Sequence, residues 1–362
     1  MSRAREFAGL AGSADAGGIT GKNLIINGAM QVAQRGSVTG VTVGYGGPDR
    51  YKFARAGAAA VTLSQDTTVP SNQGFKSSLK IDVTTADSSL AAGDYALIST
   101  RLEGQDLQHL LYGTSEAKSI TLQFWVRSPK TGTHIVELYH GDVFYTNAQT
   151  YTITSADTWQ KVTLTYDGYQ SSGFDNDSGI GLQIAWWLAS GSTYAGGTLS
   201  SNTWQNTAAN RAVGQVNVMD STSNNFYLTG VQLEVGEQAT PFEHRSIGDE
   251  LIRCQRYYVR HTGGSTNLSG LSTGVIYSST AALTAHTYIT PMRSSPTIGT
   301  DSLNAVTQMQ VVRGGAASAV SALDAYGDTL GARIDCTITS GTTGQGAYLQ
   351  IMTGYVDFDA EL

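Results

Sequence analysis

The feature that most constrains this chain is a two-residue hydrophobic period that recurs along most of its length. In SITLQFWVRS, Ile120, Leu122, Phe124 and Val126 alternate with Thr121, Gln123, Trp125 and Arg127. Successive side chains on a strand point to opposite faces, so the first set is a core face and the second is exposed or covered. In GIGLQIAWWLAS, Ile180, Leu182, Ile184, Trp186 and Leu188 share the apolar phase, which leaves Trp187 on the other face beside Gln183. THIVELYHGD and TWQKVTLTYDG repeat the habit. In the run 226–235, Tyr227, Thr229, Val231, Leu233 and Val235 fall on one side, and Phe226, Leu228, Gly230, Gln232 and Glu234 on the other.

Composition agrees with an all-β chain rich in turns. There are 42 glycines and 18 tyrosines, 14% of residues are charged, and 40% are hydrophobic, enough for two or three cores in 362 residues. The formal net charge is −7 and no basic stripe is present, which argues against a nucleic-acid partner. No apolar stretch is long enough for a membrane span, and the N-terminus lacks the apolar core of a signal peptide, so no membrane insertion is expected. Synthesis and retention in a cytoplasm, until something else releases the chain, are expected. Cys254 and Cys336, the two cysteines, read as buried free thiols rather than a disulfide or a metal site.

Residues 1–22 have too few apolar groups for a core and read as an arm, with Phe7 and Leu10 as its candidate anchors. From Asn23, NLIINGAMQVAQRG reads as a strand, a turn at Asn27–Gly28 and a second strand. EGQDLQHLLYG interrupts the β texture, with Leu107, Leu110 and Leu111 at helical spacing. Gly236 and Pro241 end the run 226–235. Ser246 then caps a short helix with Asp249 and Glu250 in its first turn, and Tyr257, Tyr258 and Val259 resume β composition. The expected fold is a jelly-roll β-sandwich over 23–245, a helical linker at 246–255, and a second, smaller β-sandwich over 256–362.

The run YLTGVQLEVGEQATPFEHRSIGDELIRCQRYY resembles the closing motif of a family of bacteriophage virion proteins, mostly tail fibres, whose jelly-roll module is like those of carbohydrate-binding proteins. NLIINGAMQVAQRG, RLEGQDLQHLLYGTSEAKSITLQFWVRS and YTITSADTWQKVTLTY resemble the same family in the same order, and YITPMRSSPTI is a fainter echo. The resemblance spans residues 23–260. It implies a virion protein, made in the host cytoplasm, that assembles as a homotrimer. It also implies attachment to other tail proteins through the N-terminal arm and binding of a host-surface glycan without catalysis.

The residues offer little covalent chemistry. Gly270–Gly274 has the spacing of a hydrolase nucleophile elbow around Ser272, but that motif needs a strand before and a helix after, and β-type sequence follows here. His134 and His140 flank Glu137 on a strand where Glu137 points to the opposite face, so no metal triad follows. Phe174–Gly179 reads as a solvated turn, with a structural calcium ion as the alternative. The binding signal is aromatic: Trp187, Tyr194, Trp204 and Trp125 fall on the non-core phase or in loops. Trp187, Tyr194 and Trp204 are expected to meet at one end of the sandwich as a glycan-contacting or inter-subunit surface. The reading that competes with a glycan-binding fibre is a structural decoration, collar or adaptor protein that binds only virion proteins. A glycan depolymerase or esterase is a further alternative without positive support.

Overall fold

The computed structural model describes residues 21–263, 269–298 and 309–362; Phe7 and Leu10 lie outside the described residues. The chain divides into two compact units, Met1–Glu250 and Leu251–Leu362. The boundary falls inside the expected helix, Ile247–Gln255, whose start is fixed by Ser246: its hydroxyl accepts from the Asp249 amide at 3.1 Å.

The strands of the first unit are β1 (Val38–Val41), β2 (Val43–Tyr45), β3 (Lys52–Ala56), β4 (Ala60–Asp66), β5 (Ser78–Thr85), β6 (Tyr95–Glu103), β7 (Ile120–Arg127), β8 (Gly132–His140), β9 (Tyr145–Ile153), β10 (Gln160–Tyr166), β11 (Ile180–Ser190) and β12 (Asn225–Val235). They form two six-stranded sheets, β1-β4-β5-β12-β7-β10 and β2-β3-β6-β11-β8-β9, hereafter sheet one and sheet two. Every pairing is antiparallel. The two-residue period supplies the facing cores: Phe124 of β7 meets Trp186 of β11 edge-on at 5.6 Å, and Tyr151 of β9 at 5.3 Å. This is the expected β-sandwich. The interruption at Gly104–Leu110 is a 3-10 helix that buries Leu107 and Leu110, as the leucine spacing implies.

Two local expectations are corrected. NLIINGAMQVAQRG forms no ladder strands before Val38. Its side chains replace the ladder: Asn27 accepts from the Val32 amide at 3.0 Å and donates to the carbonyls of Val32 and Asp49 at 2.8 and 3.0 Å. Asn27 and Met30 have φ of 59° and 58°, which a regular strand does not contain.

The second correction concerns β12, which does not keep one phase. Its register against β7 shifts between Thr229 and Gln232, and Gly230 sits there at φ 62°. The bulge lets Phe226, Leu228, Val231 and Leu233 all enter the same core, although an unbroken alternation would have put the two pairs on opposite faces. Gln232 and Glu234 consequently lie on the outer face, buried beneath the segment that follows.

The second unit contains β13 (Tyr258–Thr262), β14 (Ser269–Ser278), β15 (Ala281–Thr287), β16 (Thr297–Ile298), β17 (Met309–Arg313), β18 (Ala316–Gly327), β19 (Gly331–Ile338), β20 (Gly346–Ile351) and β21 (Tyr355–Asp359). The expected second sandwich is instead a closed barrel, β14-β15-β19-β18-β17-β20, with a three-stranded sheet, β13-β21-β16. Closure comes from β14 pairing with both β15 and the distant β20, which leaves the barrel without an exposed strand edge. β18, twelve residues rich in Ala and Ser, buries only Ser318 and Val320.

The bulge gives the first prediction. A Cβ on Gly230 would lie 2.6 Å from Phe75 and 2.9 Å from Trp125, in addition to the unfavourable φ. Gly230→Ala is expected to cost about 1–3 kcal/mol in chemical denaturation. An unchanged midpoint would remove the bulge from the account of the fold.

Candidate functional site

The outer face of sheet two carries polar and aromatic side chains that stand in cross-strand register. Antiparallel pairing aligns Arg101 of β6, Gln183 of β11 and Tyr139 of β8 in one row across the sheet. The next row is Lys52, Ser99, Ala185, Glu137 and Ala148. Trp187 stands beyond it.

The segment 191–217 straps over the Trp187 end of this face. It begins with the short helix Ser192–Ala195 and is stitched to the sheet by its backbone and amide side chains. Gln215 accepts from the Ile135 amide at 2.7 Å, Val216 donates to the Thr133 carbonyl at 3.0 Å, and Thr146 and Gln205 form an isolated bridge. Under the strap, Glu137 is fully buried and both its oxygens are engaged. Trp187 Nε1 donates to Oε2 at 2.9 Å, and Arg211 donates through Nε to Oε1 at 2.8 Å and through Nη2 to Oε2 at 3.0 Å. The Arg211 guanidinium also lies 5.3 Å from the Trp187 ring and 5.8 Å from Tyr194. A buried carboxylate with a bidentate arginine and an indole donor is a fully satisfied polar network, which fixes the strap on the sheet.

Trp187 is thus on the face that its phase implies, and Tyr194 is beside it at 5.4 Å, but Trp187 is 1% exposed. The expectation that it is open to a ligand is corrected: β11 is buried on both faces because the strap covers the second. Trp204 does not join the pair. It packs against Tyr169, Tyr112 and His140 at 5.4, 5.9 and 6.4 Å and donates Nε1 to the Asp167 carbonyl at 2.7 Å. Trp125 stands half-buried on the outer face of sheet one, beside Gly230 and opposite Thr229.

What the strap leaves partly exposed in the next row of sheet two is Arg101 and Tyr139, with Gln183 buried between them. Arg101 Nε donates to Gln183 Oε1 at 2.7 Å, so the guanidinium is held in place. Tyr139 is half-buried, 5.9 Å from the Arg211 guanidinium and 6.2 Å from Phe144. Burial raises the Tyr139 phenol above its ordinary value, with Arg211 opposing, so it is a neutral hydroxyl near pH 7. Phe144 sits at the tip of the β8–β9 hairpin with φ 59° and is 69% exposed. Two aromatic rings beside fixed guanidinium and amide groups are suited to a polyhydroxylated ring, whose hydroxyls need donors and acceptors and whose C–H faces need a flat apolar surface. The sequence singled out none of Arg101, Gln183, Tyr139 and Phe144. Their phase was legible, but which part of the face the strap would cover was not.

The other candidates fall into structural roles. Ser272 is buried in β14 with its hydroxyl 2.7 Å from that of Thr284, so it is not displayed on a turn. His134 and His140 both point into the core, opposite Glu137. At 174–179, Asp177 accepts from the Gly179 amide at 2.8 Å, closing the turn on itself. Among the described residues, no group of three His, Cys, Asp or Glu side chains is placed to hold a metal ion. Cys254 and Cys336 are buried and not joined in a disulfide, and burial, with Asp335 nearby, pushes the Cys336 thiol up to about 12.

No protein-family profile and no curated protein matches the sequence. Among solved structures, a tailspike protein 4 enzymatically active domain of bacteriophage CBA120 overlaps 59% of this chain at 12% identity and a TM-score of 0.34; the chain spans 21% of that protein. The C-terminal family 22 carbohydrate-binding module of Clostridium thermocellum Xyn10B is covered in full by 62% of this chain, at 10% identity and a TM-score of 0.33. A family 4 carbohydrate-binding module is covered to 97% by 58% of this chain, at 15% identity and a TM-score of 0.30. The fold assignment accordingly rests on the sheets described above.

Two predictions follow from the strap and the buried rings. Trp186→Ala and Trp187→Ala are both expected to lower the thermal midpoint strongly, each costing about 3–5 kcal/mol. Trp187→Ala without loss would show the strap to be loose. The second concerns pH. Burial lowers His134 to about 4, and burial with neighbouring His286 lowers His261 to about 4. Unfolding lets both titrate near the ordinary value of about 6.5, so their stability contribution is whole above that pH and is lost as pH falls toward about 4. The melting temperature is expected to drop across that window, and His134→Gln to flatten the slope. Equal slopes for the two proteins would remove His134 from the acid response.

Proposed function

We propose that this chain is a subunit of a phage virion fibre or spike that recognises a host-surface glycan without transforming it, using the partly exposed Arg101 and Tyr139 on sheet two, with Phe144 beside them. The observation that carries the proposal is the cross-strand alignment of Arg101, Gln183 and Tyr139, flanked by Phe144. Arg101, Gln183 and Tyr139 stand on strands packed into a sandwich, so little order has to be gained there on binding. Glu137 shares the face but has both oxygens committed to Trp187 and Arg211, which leaves it no free role as a general acid or base. The sequence resemblance supplies the virion setting, with the arm around Phe7 and Leu10 as the attachment to other tail proteins.

A second reading, a virion component that binds only protein, draws on the barrel exterior. Tyr277 is 66% exposed, and Val275 and Tyr348 are each 40% exposed on the neighbouring strands β14 and β20. Contiguous outward apolar groups favour subunit contact, and a homotrimer is the assembly we propose under either reading.

Arg101→Ala and Tyr139→Ala are expected to weaken binding to host-surface polysaccharide about tenfold each, roughly 1.4 kcal/mol, with little change in melting temperature. Trp125→Ala serves as the control that leaves binding intact. Unchanged binding in both variants, together with a trimer by light scattering that Tyr277→Asp dissolves, would favour the protein-only reading. Release of reducing sugar by the purified protein would overturn the non-catalytic assignment.

A further inference from the structure

Arg211 brings to the outer face of sheet two a cation that its pairing with Glu137 does not use up. Glu137 takes one edge of the guanidinium, through Nε and Nη2. Nη1 is the corner away from that edge, and it makes no hydrogen bond among the described residues. The Arg211 side chain is 23% exposed while that of Glu137 is fully buried, so the cation is the member of the pair that meets solvent.

The same guanidinium reaches the neighbourhood of Tyr139. Its carbon stands 5.3 Å from the Trp187 ring, 5.8 Å from Tyr194 and 5.9 Å from Tyr139. Of these rings Trp187 is sealed, whereas Tyr139 is half-buried on the partly exposed row. The Tyr139 phenol registers the charges around it: burial raises it, Arg211 lowers it, Glu137 raises it again and Arg101 lowers it. Arg101 is held in that row by its bond to Gln183.

The carboxylates closest to this row are engaged elsewhere. Glu137 is buried beneath the strap with both oxygens taken. Asp142, on the hairpin that carries Phe144, accepts from the Asp175 amide at 3.2 Å and stands 3.8 Å from Nδ1 of the buried, core-facing His140. Its carboxylate is thereby turned to the loop at 167–179 and away from Tyr139.

We propose that the glycan recognised on sheet two is acidic: one of its sugar rings lies against Tyr139, and the carboxylate of that sugar accepts from Nη1 of Arg211. The proposal rests on the reading of Arg101 and Tyr139 as the glycan site and adds the charge of the ligand to it. A guanidinium is a planar donor matched to a carboxylate, and here Glu137 clamps its other edge, so its orientation is set before a ligand arrives. Arg211 is the residue that separates acidic from neutral sugars, and Arg101 adds to the same field.

The test is calorimetric titration of the full chain with hexasaccharides of glucuronic, galacturonic and mannuronic acid, each compared with its carboxyl-reduced form, the corresponding neutral hexose. Reduction changes the ligand alone, so the comparison holds whatever a substitution does to folding. For the acid that binds, the reduced form is expected to bind about tenfold more weakly, and the preference to shrink as salt is raised. Arg211→Lys should reduce the preference severalfold, because a point charge does not reproduce the fork. The paired change Glu137→Gln with Arg211→Gln leaves no unpaired buried charge and should abolish the preference. Tyr139→Ala should weaken the acid and the reduced form alike.

Equal affinity for acid and reduced forms, both weakened by Tyr139→Ala, would overturn the acidic assignment and leave the glycan site standing. Acid binding that Tyr139→Ala does not weaken would place the ligand elsewhere and overturn both. Absence of binding by all three acids would also overturn the proposal, while binding of host polysaccharide lost in Tyr139→Ala would still uphold the site itself.

Discussion

The sandwich depends on a polar clasp between its first ordered residues and the segment that follows its last strand. Arg245 donates to the carbonyls of Ile25 and Asn23, and its guanidinium stands 3.5 Å from both Glu243 and Glu250. Glu243 accepts from the amides of Gly21 and Asn23 at 2.6 and 2.8 Å, and Glu250 from the amide of Asn27 at 2.6 Å. Burial alone would raise the Glu243 carboxyl, but those two amides, with Arg245, hold it below the ordinary range. Side chains that are 7–12% exposed cannot rely on water, so each charge here depends on partners more than two hundred residues away in sequence. Gly28 makes the approach close enough: its carbonyl accepts from the Val231 amide at 2.9 Å, and a Cβ there would lie 2.1 Å from the Val231 oxygen.

The clasp explains why two of the runs that carry the family resemblance are separated so widely in sequence. NLIINGAMQ and VQLEVGEQATPFEHRSIGDE are two halves of one buried hydrogen-bond network. Asn23 alone donates to the Val231 carbonyl at 3.1 Å and accepts from the Leu233 amide at 3.0 Å. The same network covers the outer face of β12. Glu234 accepts from the amide and hydroxyl of Thr240, both at 2.7 Å, and Gln123 donates to the Thr240 carbonyl at 2.7 Å. These motifs therefore mark how the sandwich closes rather than what it binds.

The two faces of the sandwich illustrate how coverage, not phase, decides availability. Trp125 and Trp187 both stand on outer faces, as period two dictates, but each is met by a segment from elsewhere in the chain. Phe75 lies beside Trp125 at Gly230, and the strap with Arg211 lies over Trp187. Tyr139 shares the face and escapes full coverage, being one strand over from Trp187 and nearer the hairpin tip at Phe144. The side chains left partly exposed are those that the covering segments do not reach.

The sequence by itself determined the all-β class, the core phase of β7 and β11, the helical turn at 104–110 and the helix after Ser246. Each follows from interactions within one strand or one turn, where period and capping chemistry suffice. It did not determine the phase of β12, because a single glycine in a left-handed conformation resets the alternation and alternation cannot reveal its own interruption. It did not distinguish a second sandwich from a barrel, because closure is a pairing between β14 and β20 that no local pattern encodes. Nor did it separate Trp187 from Tyr139 as surfaces, since burial on an outer face is set by a distant arginine and carboxylate. Local alternation fixes which way a side chain points; only long-range packing fixes whether anything is there to meet it.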